Sequence, residues 1–219
     1  MKVLVTGASN GIGRAIAEKF LAEGHVVTGF DIVPSELDHE NYTHMLVDVT
    51  DTSAFPGDVW PEILVNNAGV QDSGHDIETN LKGTINVTER YAINNKNIKA
   101  VVNIGSASGH TGSEFPEYAA SKGGVISYTK NCALRLAPRA TCNSIDPGGV
   151  LTELNRCVMD DEKLWNAIME LTPLKRWAEA SEIAEWVYFV AVKNKFMTGQ
   201  NLLIDGGEAG NCKFIWPEN

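Results

Sequence analysis

The sequence is short of paired cysteines and of positive charge. Its four cysteines include no CxxC pair, which argues against a disulfide framework and a zinc site, so no metal is expected. The 219 residues contain 18 lysines and arginines against 28 aspartates and glutamates, a formal net charge of -10. A groove that follows phosphates needs an excess of cations, so no nucleic-acid partner is expected. The cysteines are Cys132, Cys142, Cys157 and Cys212.

Long apolar runs are also missing. No stretch approaches the length of a membrane span, and the apolar run after Met1 is too short for a signal peptide. The acidic charge disfavours anionic membrane surfaces, so no membrane partner is expected. Unpaired cysteines predict a reducing cytoplasm. With 43% apolar and 21% charged residues, the composition is that of one globular domain over 1–219.

The chain does contain an alternation of β-branched runs and amphipathic stretches. Apolar strands separated by helices predict a parallel sheet with helices on both faces. The predicted fold class is therefore α/β, a Rossmann-like doubly wound sheet that binds ligands beyond the carboxyl ends of its strands. The predicted strands are Lys2–Thr6, Val26–Asp31, Thr43–Val47, Ile63–Asn66, Ala100–Ile104, Thr141–Ile145 and Asn201–Ile204. The predicted helices are Gly13–Ala22, Glu78–Ile93, Tyr118–Leu136, Leu164–Leu171 and Glu182–Lys193.

A glycine-rich turn follows the first predicted strand. Its glycines allow a sharp turn, a close approach of backbone N–H groups to a pyrophosphate and close packing of helix on strand. The N-terminus of the next helix adds positive partial charge where a phosphate would lie. The alternative is a glycine-rich turn without a ligand. The predicted phosphate-binding loop consists of Gly7, Ser9, Asn10, Gly11, Ile12 and Gly13.

A carboxylate, Asp31, ends the second predicted strand. In this position it can accept both ribose hydroxyls of an adenosine, and it would repel a 2′-phosphate. Neither the residues that follow it nor the glycine loop supplies a cation, so NAD is favoured over NADP. Asp48 and Val49 end the third strand, where they could border the adenine. A solvated turn is the alternative for Asp48.

A tyrosine and a lysine four residues apart, Tyr118 and Lys122, would share one face of a helix. A free tyrosine has a pKa near ~10, and a neighbouring ammonium favours its phenolate. The pair can act as acid in carbonyl reduction and as base in alcohol oxidation. Ser106 could hold the substrate oxygen, and Asn80 could bind a water that relays protons to Lys122. The alternatives are that Tyr118, Lys122 and Asn80 are polar residues on helix surfaces. Ser106 would then be a helix cap or turn residue.

Further short motifs place these residues in a characteristic order. In that order they resemble the classical short-chain dehydrogenase/reductase family over essentially the whole chain. The three-residue gap between Gly7 and Gly11 is typical of the classical branch rather than of the extended branch of sugar epimerases and dehydratases. The motifs are Thr6-Gly7-x3-Gly11-Ile12-Gly13, Asp48-Val49, Asn66-Asn67-Ala68-Gly69, Asn80, Ser106, Tyr118-x3-Lys122, Pro147-Gly148-x-Val150-x-Thr152 and Asp205-Gly206-Gly207.

The resemblance implies a catalytic role for four of these residues. Tyr118 would be the acid/base, and Lys122 would lower its pKa and bind the cofactor ribose. Ser106 would orient the substrate, and Asn80 would hold the relay water. The family is usually dimeric or tetrameric, so a homodimer or homotetramer is expected. The implied NAD contacts also include Asn67, Ala68, Gly69, Pro147, Gly148, Val150 and Thr152.

The chain also departs from the family pattern. Only 17 residues separate Asp48 from Asn66, and two prolines lie among them, so the crossover helix there must be short or absent. Asp146 precedes Pro147, where the family more often has an apolar or small residue. A carboxylate there could face nicotinamide or substrate, or be a hydrogen-bonded turn residue.

The favoured function is an NAD-dependent oxidoreductase that interconverts a secondary alcohol and a ketone by hydride transfer. The alternatives are a non-catalytic dinucleotide-binding regulatory protein, an NADP-dependent 3-oxoacyl thioester reductase, and a sugar-nucleotide epimerase. A substrate cap is predicted at about 150–178, and Trp165 with two methionines there favours a hydrophobic small molecule. The apolar tail residues Phe214, Ile215 and Trp216 are expected to pack on their own subunit or on a neighbour.

Overall fold

A seven-stranded parallel sheet forms the centre of the protein in the computed structural model, which describes residues 1–113 and 115–211. The strand order is β3-β2-β1-β4-β5-β6-β9, and every neighbouring pair is parallel. The predicted doubly wound α/β fold is confirmed. These strands are β1 Lys2–Thr6, β2 Val26–Asp31, β3 Tyr42–Leu46, β4 Ile63–Asn66, β5 Ala100–Ile104, β6 Thr141–Pro147 and β9 Asn201–Ile204.

Helices cover both faces of the sheet and join most of its strands, except in the β2–β3 and β3–β4 connections. The helix α4 begins at Pro116, two residues before the predicted start, because proline is well tolerated in the first turn of a helix. The predicted helix at 78–93 is observed as α2, with wider π-type turns at Ile77–Gly83 and Glu89–Ile93 on either side of Thr84–Thr88. The others are α1 Gly11–Ala22, α3 Ser108–Thr111, α4 Pro116–Leu136, α5 Arg156–Met159, α6 Glu162–Leu171 and α7 Ala180–Tyr188, which continues in a π-type turn at Phe189–Lys193.

The core consists of two apolar layers, one on each face of the sheet. Because side chains alternate along a strand, Val3 and Val5 of β1 pack in the layer that contains residues of α1 and α7. Leu4 packs in the opposite layer with residues of α2 and α4. Both faces of the sheet are therefore covered by helices. A ligand can reach the sheet at the carboxyl ends of its strands.

The connection between β3 and β4 is short, as predicted. It contains a single 3₁₀ turn at Thr52–Ala54 instead of a crossover helix. Tyr91 of α2 donates a hydrogen bond to the carbonyl of Pro56 at 3.0 Å, and its ring lies 5.7 Å from that of Phe55. These contacts hold the connection against α2 in the absence of a helix.

A small second ladder lies beyond β6. Its strands are β7 Val150–Leu151 and β8 Ala178–Glu179, which pair in parallel. Between them lie a 3₁₀ turn at Glu153–Asn155 and the helices α5 and α6. The segment predicted as a substrate cap is thus folded as a ladder with two short helices.

Two further expectations concern the ends and the surface of the chain. The predicted packing of Phe214, Ile215 and Trp216 falls outside the described residues. Over 1–113 and 115–211, no helix has both the length and the apolar character needed to cross a membrane. In the same ranges Cys132, Cys142 and Cys157 carry free thiols.

Candidate active site

A cleft of about 1070 Å³ opens along the carboxyl ends of the strands. It brings together most of the residues predicted from the sequence, from the glycine loop to the tyrosine and lysine of α4. Ser9, Gly13 and Asn80 do not line it; they support its wall from behind. The predicted residues that line it are Gly7, Asn10, Gly11, Ile12, Asp31, Asp48, Val49, Asn67, Ala68, Gly69, Ser106, Tyr118, Lys122, Pro147, Gly148, Val150 and Thr152.

The glycine loop is held to β4 by a set of short hydrogen bonds. The Asn67 side chain donates to the carbonyls of Thr6 and Gly7, at 3.0 Å each. The backbone N–H groups of Asn67 and Ala68 both donate to Thr6 Oγ1, also at 3.0 Å. A Cβ on Gly13 would overlap the Gly7 carbonyl oxygen, so this glycine allows α1 to start directly beneath the loop. Asn10 makes no side-chain cap, which leaves the first N–H groups of α1 open to an anion.

The Asp31 carboxylate is fixed at the end of β2. Its Oδ2 accepts from the backbone N–H of Ser9 at 2.9 Å, and its Oδ1 accepts from that of Val33 at 3.2 Å. The Ser9 hydroxyl donates to the Val33 carbonyl at 3.1 Å. Ser9 is therefore a positioning residue for Asp31 rather than part of the cleft wall. Among the described residues that line the cleft, Lys122 is the only lysine and there is no arginine.

Apolar side chains border the cleft near Asp31. Phe30, Ile32 and Val47 line this part together with Val49. Asp48 is exposed, and its Oδ1 accepts from the backbone and the hydroxyl of Thr50 at 2.8 Å each. The solvated turn that was the alternative for Asp48 is thus present, although the residue still lines the cleft. Phe30, Ile32 and Val47 were not predicted; their place at the ends of β2 and β3 is the signal that could have identified them.

Tyr118 and Lys122 lie one turn apart on α4 and face the cleft together. The Lys122 ammonium is 5.8 Å from the centroid of the Tyr118 ring and donates to the Ile104 carbonyl at 3.0 Å. Burial lowers the pKa of Lys122 to about 8, against the negative charges of Asp146 and Asp76, which raise it. A buried ammonium beside a tyrosine favours the phenolate, because the positive charge stabilises the anion.

Ser106 reaches the same wall from β5. It follows the strand and Gly105, is 7% exposed, and accepts from the backbone N–H of Ser108 at 3.2 Å. The short helix α3 then packs tightly on α4: a Cβ on Gly109 would lie 2.8 Å from the backbone carbon of Lys122. This close packing brings the Ser106 turn and the Lys122 side chain to one end of the cleft.

Asn80 is buried in the first turns of α2. Its Nδ2 donates to the Val70 carbonyl at 2.9 Å and to Ser121 Oγ at 3.0 Å, and its Oδ1 accepts from the Val70 N–H at 2.8 Å. Both amide donors are used, so a water could bind this side chain only at the second lone pair of Oδ1. Gly69 separates Asn80 from Lys122: a Cβ there would lie 3.0 Å from Oδ1 and 3.5 Å from Nζ. The relay role of Asn80 stays a prediction.

Asp146 does not face the cleft. It lies in β6, which extends two residues past the predicted end, and it is fully buried. Its Oδ2 is 2.6 Å from His110 Nε2. The sequence prediction placed this carboxylate toward the cofactor or in a turn, and it is in neither place because the strand continues to Pro147.

The opposite wall of the cleft comes from the segment after β6. Thr152 faces the glycine loop, since a Cβ on Gly11 would lie 3.4 Å from its Cγ2. Gly149 leaves the room that the Trp177 indole occupies, and Trp177 meets Trp165 edge to face at 5.1 Å. Other polar residues that line the cleft include Gln71, His75, Glu153, Asn155 and Glu208, and other apolar ones include Val70, Phe115, Leu154, Val158, Leu164, Ile168 and Trp177.

This fold and site define a class of protein: a Rossmann-like oxidoreductase with a glycine loop after its first strand and a tyrosine–lysine pair. A family model described as enoyl-(acyl carrier protein) reductase matches residues 7–208. The chain is also 34% identical to the 3-oxoacyl-[acyl-carrier-protein] reductase FabG of Salmonella typhimurium, over 93% of this chain and 95% of that protein. The chain belongs to the short-chain dehydrogenase/reductase family.

Solved structures of similar proteins agree. A 4-hydroxyisoleucine dehydrogenase complexed with NADH superimposes with a TM-score of 0.88 at 27% identity, covering 96% of this chain and 99% of that one. A candidate 2-deoxy-D-gluconate 3-dehydrogenase from Agrobacterium tumefaciens, with bound NADP, gives 0.87 at 29% identity, covering 96% of each chain. Both nicotinamide dinucleotides therefore occur among proteins of this architecture.

Proposed function

We propose that the protein is an NAD-dependent oxidoreductase that interconverts a secondary alcohol and a ketone. The observation that carries the proposal is the meeting of Tyr118, Lys122 and Ser106 in the cleft that also contains the glycine loop. Acid/base groups at one end and a phosphate site at the other are what hydride transfer from a bound dinucleotide requires.

The residues of the cleft fit such a cofactor. The uncapped N-terminus of α1 suits the pyrophosphate, and Asp31 suits the ribose hydroxyls of the adenosine. Pro147, Gly148 and Thr152 would hold the nicotinamide end, close to Ser106. A bound nicotinamide would supply or accept the hydride at the substrate carbon.

Each catalytic side chain then has a separate task. Tyr118 would give its phenolic proton to the carbonyl oxygen in reduction and take it back in oxidation. Lys122 would stabilise the phenolate and donate to the ribose, for which its ammonium has two hydrogens beyond the one given to the Ile104 carbonyl. The Ser106 hydroxyl would hold the substrate oxygen next to Tyr118.

NAD is the preferred cofactor in this proposal. The Asp31 carboxylate is held by Ser9 and Val33, so it cannot easily turn away from a 2′-phosphate. The described lining of the cleft offers no arginine that could pair with such a phosphate. Repulsion and the lack of a partner both oppose NADP.

The substrate would be a small alcohol or carbonyl compound with an apolar part. The cap presents Leu164, Ile168 and Trp177 to the cleft, and Gln71 and His75 add polar groups to its lining. A second candidate, an NADP-dependent reductase of 3-oxoacyl thioesters, is favoured by the name of the Salmonella typhimurium relative. An intact Ser106, Tyr118 and Lys122 argues against a purely regulatory dinucleotide-binding protein.

One experiment separates these functions. The purified protein is assayed at the reduced-nicotinamide absorbance band with secondary alcohols, ketones and a 3-oxoacyl thioester, each with NAD(H) and NADP(H). Turnover of an alcohol or ketone with NAD(H) at a higher kcat/KM than with NADP(H) supports the proposal. Faster turnover of the thioester with NADPH supports the second candidate. Dinucleotide binding by calorimetry without any turnover supports the regulatory alternative.

A further inference from the structure

A buried carboxylate lies directly behind the Ser106 turn. Asp146 is 0% exposed, and its Oδ2 lies 2.6 Å from Nε2 of His110, whose side chain is 30% exposed. Its Oδ1 has no hydrogen-bond partner among the described residues. A buried ionisable group with one unpartnered oxygen is costly, so a fold retains it only where it has a use or where other contacts offset its cost.

The Ser106 turn is built around this carboxylate. The N–H of Gly105 donates to the Ile145 carbonyl at 2.9 Å, and the N–H of Ala107 donates to the Pro147 carbonyl at 2.8 Å. These two bonds lie on either side of Asp146. A Cβ on Gly105 would overlap Asp146 Oδ1, so the carboxylate fills the space that the glycine leaves. The position of Ser106 therefore depends directly on what occupies position 146.

His110 links Asp146 to α4 through the short helix α3. It lies in the last turn of α3, and Gly109 beside it packs against the backbone of Lys122. The bond between His110 and Asp146 thus ties α3 to β6, while α3 in turn abuts the residue that bears the catalytic ammonium. The link therefore connects the strand behind the Ser106 turn to the helix that carries Lys122.

Polar and charged groups of three elements act on Asp146. Burial raises the pKa of Asp146, whereas Ser144 of its own strand, His110 of α3 and the Lys122 ammonium of α4 oppose that rise. In the other direction, Asp146 and Asp76 raise the pKa of the Lys122 ammonium. The carboxylate is therefore electrostatically coupled to Lys122 as well as mechanically linked to it.

We propose that Asp146 and His110 form a positioning pair that holds the Ser106 turn and α3 against α4 and presents a negative charge to the Lys122 ammonium. Neither residue touches the cleft, so both act through Ser106 and Lys122. The inference rests on the proposed function for its kinetic readouts.

The first test is Asp146→Asn, which keeps the shape and removes the charge. Without that charge Lys122 loses its proton more easily, so the alkaline limb of kcat/KM moves to lower pH by about half a unit or more. Cys142→Ser is the matched control, because Cys142 is buried on the same face of β6 and the change alters no charge. Cys142→Ser can lower the unfolding temperature, but it leaves the alkaline limb of the kcat/KM profile at the wild-type pH.

The second test keeps the charge and removes the link. His110→Ala lowers kcat about tenfold or more through misplacement of Ser106, whereas the dissociation constant of NADH changes little. His110→Gln retains an N–H donor for Asp146 and recovers most of that loss. If His110→Ala matches the wild type in kcat, or if Asp146→Asn leaves the alkaline limb unmoved, the pair is only structural and the inference is wrong.

A third readout does not need turnover. A downfield imidazole N–H signal in the proton NMR spectrum, assigned by its loss in His110→Gln, is expected to lose its protection from solvent exchange in Asp146→Asn. Wild-type protein without turnover would refute the proposed function and leave this signal to decide whether the pair exists. Turnover without the signal would refute the pair alone.

Discussion

Lys122 donates to the carbonyl of Ile104 at 3.0 Å, across the boundary between α4 and the last residue of β5. This bond fixes a buried ammonium 5.8 Å from the centre of the Tyr118 ring. The strand end therefore sets the position of the cation that is proposed to stabilise the Tyr118 phenolate. Because Ser106 follows the same strand by two residues, one stretch of chain positions both the Lys122 ammonium and the hydroxyl that is proposed to hold the substrate.

Replacing the phenol is the most direct test of this arrangement. Tyr118→Phe removes the transferable proton, so we expect kcat to fall by about 10²-fold or more. Dinucleotide binding by calorimetry should stay within about threefold of wild type, because the ring remains and only the hydroxyl is lost. A Tyr118→Phe variant with wild-type turnover would remove Tyr118 from the mechanism.

The pH profile should report the buried ammonium. Burial lowers the pKa of Lys122 from 10.5 to about 8, so the group is charged below that pH and neutral above it. In carbonyl reduction, where Tyr118 must also be protonated, kcat/KM should be constant at lower pH and fall above pH 8. The measurement is initial rates from pH 6 to 10 with NADH below saturation, so that free-enzyme ionisation is seen. A kcat/KM that stays constant from pH 6 to beyond pH 9.5 would contradict this prediction.

The sequence was sufficient for the seven strands of the main sheet and for most of the polar residues that follow them. Short β-branched apolar runs and glycine spacing are local features, which a single sequence displays directly. The tertiary uses of Ser9 and Asn80 could not be predicted in the same way. Ser9 is committed to Asp31 and Val33, and Asn80 to Val70 and Ser121. Such bonds join residues that are far apart in sequence, so no local pattern indicates them.

The position of Asp146 shows the same limit. Its sequence neighbour Pro147 suggested a turn, yet β6 continues through Pro147 by pairing with β9. Proline lacks only the N–H donor there, and its carbonyl still accepts from the N–H of Ala107 at 2.8 Å. The partner His110 lies 36 residues away, so only the fold reveals the pair.

Cofactor preference should depend on the end of β2. Asp31→Ser with Ile32→Arg removes the repelling carboxylate and adds a cation at a site where Ile32 is 70% exposed. We expect the ratio of kcat/KM for NAD over NADP to fall by about 10²-fold, mainly through the Michaelis constants. Asp48→Asn is the matched control, because it removes a cleft carboxylate that lies after β3 instead. Wild-type protein with a lower dissociation constant for NADP than for NAD would contradict the proposal.

The glycine loop offers a test of cofactor binding that is separate from chemistry. In Gly13→Ala the new Cβ overlaps the Gly7 carbonyl oxygen, so the loop must shift at a cost of about 1–3 kcal/mol. We expect weaker dinucleotide binding and a lower unfolding temperature. Gly57→Ala is the control: its Cβ would lie 3.9 Å from Arg90 Nη2, the nearest neighbour. Equal binding by both variants would show that the loop does not hold the pyrophosphate.

The last prediction concerns assembly through α4. The family resemblance implies a homodimer or homotetramer, and α4 carries apolar residues on more than one face, which is typical of a helix covered on both sides. In the structure one face of α4 is buried in the chain, with Cys132 and Leu136 in the core, whereas Leu134 on the outer side is 82% exposed. An exposed leucine beside a buried stripe suits a second copy of the helix, so we expect a homodimer or homotetramer by light scattering at micromolar concentration. Leu134→Glu should shift that equilibrium toward monomer, because it places like charges across the twofold contact. Leu46→Glu, at a 66% exposed position on the edge strand β3, should leave the mass unchanged, and a monomeric wild-type protein would contradict the prediction.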